Sequence, residues 1–232
     1  MTATTWGRRL RIAWRGEEKI TAVIGMHENS APVGVLLAPG AGAGQHHPFL
    51  VTLRRGLVRR GIVTMTFDYP YAEAGRRAPD RPPTLLDAHR AAAQRLLRYV
   101  PDVVLAGKSM GGRVGSHLAG DEAWPAAGLV YYGYPLVPPG REARPVDHLE
   151  RIEAPQLFFA GSRDRLSPVA QISSLVRTLT AATLVTVPDG DHSFRVPRRS
   201  EVSTDEVLRG LIDTTADWIL GPALQPQPGA GT

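Results

Sequence analysis

The sequence contains no cysteine among its 232 residues. This absence excludes disulfide bonds, cysteine-ligated metals and a thiol nucleophile. No apolar run approaches the length that a helix needs to cross a lipid bilayer. The opening stretch MTATTWGRRLRIAW also lacks the apolar core of a secretory signal. We therefore expect a cytoplasmic protein that has no membrane partner.

Acidic residues are the scarcer charged type, since 22 Asp and Glu stand against 27 Lys and Arg and leave a net charge of +5. A basic balance can favour nucleic acid or acidic ligands. The basic residues are scattered, however, and form no basic repeat, aromatic-interleaved motif or zinc-finger spacing. We therefore do not expect nucleic acid to be the main ligand. The 43% hydrophobic content is that of a globular chain with a core.

Strand-like and helix-like patterns alternate along most of the chain. The runs LRIAW and KITAVIGM follow each other without a helix and predict an antiparallel start. From residue 33 onward, strands and helices alternate, which predicts a mostly parallel sheet with helices on both faces. The predicted fold class is therefore α/β, with a single domain over residues 1–220. Loops rich in proline and arginine are expected at residues 69–83 and 133–145, and a disordered tail at 221–232.

A serine stands between glycines where a predicted strand ends, in the stretch LAGKSMGGRVGSHLA. The apolar residues 103–106 predict a buried strand, and the apolar spacing after the serine predicts a helix. Gly107 and Gly111 let the backbone fold back tightly, which exposes the hydroxyl of Ser109 at the sheet edge as a nucleophile elbow. The alternative is a glycine-rich strand-to-helix turn without any chemistry.

A serine hydroxyl becomes a good nucleophile when a base takes its proton and a third group orients that base. Asp164 follows the strand-like run QLFFAG, and His192 follows the next such run, so both lie where parallel strands end. The order Ser109, Asp164, His192 predicts a catalytic triad. Asp164 could instead cap the next helix, and His192 could be an ordinary surface histidine. Asp189 and Asp191 lie too near His192 in the chain to hold its ring.

The negative charge of a reaction intermediate needs backbone N–H donors near the serine. The N–H of Met110 begins the helix after the elbow, and we predict a second donor at Ala41 in the glycine-rich loop APGAGAGQHHP. Such a loop can also hold phosphate. It has no Gly-Lys-Ser/Thr ending, however, and the spacing of Gly40, Gly42 and Gly44 does not match the dinucleotide-binding pattern. We therefore interpret the loop as part of an oxyanion hole.

The stretches PGAGAGQHHP, FDYPY, GKSMGGR, YYGYPLVPPG, LFFAGSRD and VPDGDHSF resemble the small lidless α/β-hydrolases near the dienelactone hydrolases. More closely, they resemble the subgroup that includes testis-expressed protein 30 and the third subunit of the NSL histone-acetyltransferase complex. The resemblance spans the chain from about residue 33 to residue 220. It implies an α/β-hydrolase fold with Ser109 as nucleophile, Asp164 as acid and His192 as base. It implies no cofactor and does not identify a substrate.

Two local features qualify this resemblance. Where many relatives have His-Gly in the oxyanion loop, this chain has Pro39 and Gly40, which loses a side chain but keeps the backbone donors. The interval from Ser109 to Asp164 is filled by a helix, a strand, a loop and a second strand. Since no room remains for a cap of several helices, we expect an open site suited to small ester substrates.

The leading hypothesis is a serine hydrolase that cleaves a carboxylic ester or related acyl bond of a small molecule through an acyl-enzyme intermediate. The alternative is a non-catalytic interaction module that keeps the α/β-hydrolase fold. The presence of all three triad residues favours the enzyme. The sequence leaves the oligomeric state open.

A third hypothesis is a hydrolase for anionic substrates, in which basic side chains near the site select the ligand. The alternative is that these side chains form structural ion pairs or face solvent, as is usual in so basic a chain. The residues concerned are Lys108, Arg113, Arg76, Arg77, Arg163 and Arg165.

Overall fold

One twisted layer of strands forms the centre of the protein. The computed structural model describes residues 5–224. The strands are β1 (Thr5–Arg15), β2 (Glu18–Met26), β3 (Val33–Ala38), β4 (Val63–Phe67), β5 (Asp102–Lys108), β6 (Gly128–Tyr132), β7 (Gln156–Gly161) and β8 (Ala182–Val187). They form one eight-stranded sheet in the order β1-β2-β4-β3-β5-β6-β7-β8.

The pairing within this sheet agrees with the sequence-based expectation. β2 pairs antiparallel with both β1 and β4. Every pair from β4 to β8 in the sheet order is parallel. All residues of β4, β6 and β7 are buried, as expected for parallel strands that are covered on both faces. The predicted α/β fold class with an antiparallel start is confirmed, and the described residues contain no separate cap domain.

Helices cover both faces of the sheet. They are α1 (Pro48–Arg59), α2 (Pro70–Glu73), α3 (Pro82–Leu96), α4 (Met110–Gly120), α5 (Asp147–Glu150), α6 (Val169–Val176) and α7 (Thr204–Leu220). Helices α1 and α7 pack on one face, and α3, α4 and α6 pack on the other. One apolar core therefore lies on each side of the sheet. Among the described residues, no helix is both long and apolar enough to cross a membrane.

Local sequence signals explain where several helices begin. Proline occupies the first turn of α1, α2 and α3. N–H groups in the first turn have no acceptor within the helix, so a proline there costs no helical hydrogen bond. Helix α7 starts with a capping box in which Ser203 and Glu206 satisfy each other's backbone N–H groups. Helix α6 ends at Val176, and Thr178 and Leu179 continue it as turns with i→i+3 hydrogen bonds.

The predicted tail at 221–232 lies only partly within the described residues. Pro222–Leu224 forms a short 3₁₀ helix, and Leu224 packs against the core formed by α1 and α7. Residues 225–232 lie outside the described part of the chain. The assignment of residues 1–220 to a single domain stays a prediction.

Candidate active site

The turn between β5 and α4 holds Ser109 in a strained backbone conformation. Its φ is 50° and its ψ is −114°, in a region that residues with a side chain rarely adopt. The turn is this tight because both flanking glycines touch backbone. A Cβ on Gly107 would lie 2.2 Å from Gly112 N, and a Cβ on Gly111 would lie 2.6 Å from Ala38 O. The glycine spacing recognised in the sequence is therefore a steric requirement of this turn.

Replacing Gly107 with alanine is expected to lower the free energy of unfolding by more than ~2 kcal/mol, because the new methyl group meets backbone that cannot move aside. Gly210→Ala in helix α7 is the matched control, since a Cβ there meets nothing within 4 Å. That control should stabilise the protein by about 0.5–1 kcal/mol. Urea unfolding of both variants measures the difference, and equal stabilities would contradict the steric account of the elbow.

Two hydrogen bonds through His192 join the three side chains that were predicted to act together. His192 Nε2 lies 2.9 Å from Ser109 Oγ, and His192 Nδ1 lies 2.7 Å from Asp164 Oδ2. An ionised carboxylate can only accept a hydrogen bond, so beside ionised Asp164 the Nδ1 atom carries the proton. Nε2 is then free to accept the proton of the Ser109 hydroxyl.

The two neighbouring aspartates do not contact the imidazole through their carboxylates. Asp191 Oδ1 accepts hydrogen bonds from the backbone N–H groups of Ser193 and Arg195, and thereby shapes the loop that carries the histidine. Asp189 Oδ2 accepts a hydrogen bond from Ser200 Oγ. Asp164 alone among these aspartates hydrogen-bonds the ring in the described structure.

Backbone contact fixes the distance between the loops that carry Asp164 and His192. A Cβ on Gly161 would lie 2.2 Å from Gly190 O, so the ends of β7 and β8 approach as closely as two glycines allow. Beyond the histidine, Phe194 is fully buried and stacks on Phe49 of α1 at a centroid distance of 5.9 Å. The histidine loop is thus anchored to the core on one side and to the acid loop on the other.

The carboxylate of Asp164 is buried but well provided with donors. Oδ1 accepts hydrogen bonds from Leu166 N at 2.8 Å and from Ser167 N at 3.2 Å. Burial by itself raises the pKa of Asp164, but the hydrogen bond and charge of His192, Leu166 N–H and the charge of Lys108 together hold that pKa below its ordinary value. Asp164 is therefore ionised at neutral pH, as an orienting partner for imidazole must be.

Two cavities open beside Ser109. The small cavity has a volume of about 310 Å³ and is lined by Gly40, Ala41, Lys108, Ser109, His192 and Ser193, among others. The large pocket has a volume of about 750 Å³ and lies on the other side of the serine. Part of its lining comes from the two proline-rich stretches noted in the sequence, through Pro79, Pro82, Pro135, Pro138 and Pro139, and much of the rest comes from α3 and α4.

The predicted oxyanion donors are both located next to the serine. Ala41 lines both cavities, and Met110 lines the large pocket. Met110 is the first residue of α4, so its N–H has no acceptor within the helix and is available to a ligand. The assignment of both N–H groups to an oxyanion hole stays a prediction.

A second serine–histidine pair lies nearby, but it is buried. Ser116 Oγ lies 2.9 Å from His148 Nε2 and donates to Arg113 O at 2.7 Å. Ser116 is fully buried, so no substrate carbonyl can reach its hydroxyl. Burial, together with the charges of His117 and Arg113, lowers the pKa of His148 to about 3. His148 is therefore neutral, and the pair joins α4 to α5 within the core.

The basic residues singled out from the sequence separate into two groups. Four of them line neither cavity: Arg76, Arg77, Arg163 and Arg165. Arg76, for example, pairs with Asp80 at 2.6 Å. Lys108 lines the small cavity and Arg113 lines the large pocket. Arg144, which the sequence did not single out, also lines the large pocket.

Lys108 is an unusual neighbour for the serine, because its amine is buried and has no hydrogen-bond partner in the described structure. Nζ lies 5.8 Å from the centroid of the Phe194 ring, within range of a cation–π interaction. Burial lowers the pKa of Lys108 to about 8, although the negative charges of Asp164 and Asp191 act to raise it. The sequence could not show this burial, because Phe194 lies far away along the chain.

Replacing Lys108 with methionine is expected to raise the free energy of unfolding at pH 7 by about 1 to 3 kcal/mol. The folded protein lowers the amine pKa from 10.5 to about 8, and each unit corresponds to about 1.4 kcal/mol. Between these two values the unfolded chain keeps the proton that the folded chain has lost, so wild-type stability rises with pH. The advantage of the variant should therefore shrink between pH 8 and pH 10.5.

Urea unfolding from pH 7 to pH 10.5 measures this effect. Lys19→Met is the matched control, because Lys19 is the other lysine of the chain and is exposed on β2. A constant stability difference between wild type and Lys108→Met over this range would contradict the proposed cost of the buried amine.

Known proteins share this fold. Dienelactone hydrolase from Anabaena variabilis is 19% identical, with a TM-score of 0.74 over 92% of this chain and 96% of that chain. Est1E from Butyrivibrio proteoclasticus, with ferulic acid bound, is 17% identical, with a TM-score of 0.69 over 89% and 99%. XC6422 from Xanthomonas campestris, a serine hydrolase without a lid, is 22% identical, with a TM-score of 0.68 over 95% and 97%. No curated protein matches this sequence significantly.

At these identities the solved structures establish a common fold and no common activity. The sequence itself matches the family model described as alpha/beta hydrolase domain, over residues 31–220. The expected likeness to α/β-hydrolases, dienelactone hydrolase among them, is therefore confirmed, whereas the narrower subgroup stays a prediction. Most of the chain lies within the matched region, and the chain belongs to the α/β hydrolase domain family.

Proposed function

We propose that this protein is a serine hydrolase that cleaves a carboxylic ester or a related acyl bond of a small molecule. The observation that carries the proposal is the continuous hydrogen-bonded series Ser109–His192–Asp164. Its serine lies on a strained elbow and lines two cavities. A strained backbone persists only where the surrounding structure enforces it. An interaction module would not need a serine held in this conformation against an oriented base.

The proposed reaction has two stages, acylation and hydrolysis. Ser109 Oγ attacks the substrate carbonyl carbon while His192 Nε2 accepts the hydroxyl proton, and the Met110 and Ala41 N–H groups stabilise the resulting oxyanion. The bond from carbon to the leaving oxygen then breaks, and His192 gives its proton to that oxygen. In the second stage a water molecule loses a proton to His192, attacks the acyl-enzyme and releases the carboxylic acid with restoration of Ser109.

We place the protein in the subgroup that includes testis-expressed protein 30 and the third NSL subunit. The motifs GKSMGGR and GDHS, which surround Ser109 and His192, support this narrower assignment. The subgroup does not identify a substrate, so its acyl and alcohol parts must be inferred from the cavities.

Covalent labelling with a fluorophosphonate tests the proposal, because this probe reacts with serines that a neighbouring base activates. We expect a single adduct on the peptide that contains Ser109, and its loss in Ser109→Ala. Ser193→Ala is the matched control, since it removes another hydroxyl that lines the small cavity. Absence of labelling in the folded wild-type protein would overturn the proposal and favour the non-catalytic interaction module.

A further inference from the structure

The large pocket contains two arginines without an acidic partner. Arg113 Nη1 donates to the hydroxyl of Tyr134 at 3.1 Å, and Arg144 Nη1 donates to the carbonyl of Pro135 at 3.0 Å. Both of these partners are neutral. Among the described residues, no carboxylate lies within ion-pair distance of either guanidinium. Each guanidinium has five N–H donors, so most of them remain available to a ligand.

One carboxylate does line this pocket, but other groups already occupy it. Asp121 Oδ2 lies 2.7 Å from His117 Nδ1, and its Oδ1 accepts a hydrogen bond from Arg151. The positive charge of the two pocket arginines is thus not neutralised by any residue that the structure describes. Burial lowers the pKa of Arg144, and the nearby charge of Arg113 lowers it further. An anion between these two groups would relieve the repulsion.

Helix α4 places Arg113 close to Ser109 along the chain, whereas Arg144 comes from the loop after β6. Arg113 lies one helical turn after the serine, and its backbone N–H donates to Ser109 O at 3.2 Å. Four residues advance about 6 Å along the helix axis, so Arg113 and Ser109 are separated by the length of a short chain. Arg144 belongs to the loop after β6, where its backbone N–H donates to Leu136 O at 2.9 Å.

The two cavities also differ in their access to the base. His192 lines the small cavity and is not among the residues that line the large pocket. Because the base must return its proton to the leaving oxygen, the leaving group belongs on the side of the small cavity. The acyl part of the substrate then enters the large pocket, between the apolar side chains of Leu85, Leu86 and Val137.

We infer that the large pocket selects acyl groups that carry a carboxylate on a short apolar chain, and that Arg113 and Arg144 bind this carboxylate. The inference rests on the proposed function, since it assigns the acyl side of that reaction. Guanidinium groups match the geometry of carboxylates and can bind them with two parallel hydrogen bonds. The apolar walls lower the local dielectric constant and thereby strengthen this interaction.

Two esters of equal chain length test the inference. The 4-nitrophenyl hemi-ester of glutaric acid carries the carboxylate, and 4-nitrophenyl pentanoate lacks it. We expect wild-type kcat/KM to favour the hemi-ester by roughly tenfold or more, as for a hydrogen bond to a charged group. Arg113→Gln and Arg144→Gln should each lower this ratio, and the double variant should bring it close to one. Arg141→Gln, an exposed arginine of the same loop, should leave the ratio unchanged.

A binding measurement separates this inference from the proposed function. Calorimetry with Ser109→Ala compares 5-phenylpentanoate with its uncharged amide, and requires no turnover. We expect the acid to bind at least roughly tenfold more tightly, and this preference to disappear when both arginines become glutamine. Equal binding of acid and amide would overturn the carboxylate site even if the esters are hydrolysed. A second outcome is that the acid binds preferentially while Ser109 of the wild type is not labelled by the fluorophosphonate. That outcome would contradict the proposed hydrolase function and leave an anion-binding pocket.

Discussion

Ser109→Ala is expected to lower the turnover of an activated ester such as 4-nitrophenyl acetate by at least roughly 10³-fold, because the attacking atom is lost. The fold should be unaffected. The serine lies between two open cavities, so loss of its hydroxyl creates no void in either core. The substitution removes the hydrogen bond between the Ser109 hydroxyl and His192 Nε2, and this bond does not belong to either apolar core.

Turnover measurements must be paired with circular dichroism and urea unfolding of the same variant. We expect superimposable spectra and an unfolding midpoint close to that of the wild type. Activity near the wild-type level in a correctly folded Ser109→Ala protein would show that another group attacks the ester. Ser116 would not be that group, because it is fully buried.

The second large effect is expected for Asp164→Asn, which should lower kcat by roughly 10²- to 10⁴-fold at neutral pH. An asparagine amide can donate to His192 Nδ1, which then becomes the acceptor and leaves the ring proton on Nε2. In that tautomer the ring cannot take the proton of Ser109. The replacement also removes the negative charge that stabilises the imidazolium as it forms.

Ester turnover between pH 6 and pH 9 measures this loss. The pKa of Asp164 lies below its ordinary value, so the wild-type carboxylate is ionised throughout this range and the deficit of the variant should persist across it. Asp189→Asn is the matched control, since this exposed aspartate bonds Ser200 and makes no contact with the ring. An Asp164→Asn protein as fast as the wild type would remove this residue from the mechanism.

The sequence carried enough information to predict the elbow and the residues that meet there. Gly107 is required by backbone contact with Gly111 and Gly112, its near neighbours, so this spacing is visible in the chain itself, whereas Gly111 is required by contact with Ala38 on β3. Asp164 and His192 were predictable for a different reason. Each directly follows a strand of a parallel sheet, and such strand ends share one edge.

The pocket could not be predicted in the same way. Part of its lining comes from loops that were recognised only by composition, and tertiary packing brings these loops together with α3 and α4. The role of Arg144 in the pocket could therefore not be predicted from the sequence. Its position beside Arg113 depends on how the loop after β6 folds back over α4. The buried amine of Lys108 escaped prediction too, since its burial depends on a contact with Phe194 beyond β8.

The loops that carry Asp164 and His192 and most of the lining of the large pocket belong to different parts of the chain. Asp164 and His192 follow β7 and β8, whose spacing is fixed by contact between Gly161 and Gly190. Except for Leu166, which lies in the loop of Asp164, the pocket lining follows β3, β4, β5 and β6 and does not enter that contact. In evolutionary terms, mutation can reshape the walls while the reacting groups keep their positions. Within this scaffold, substrate preference can diverge faster than chemistry.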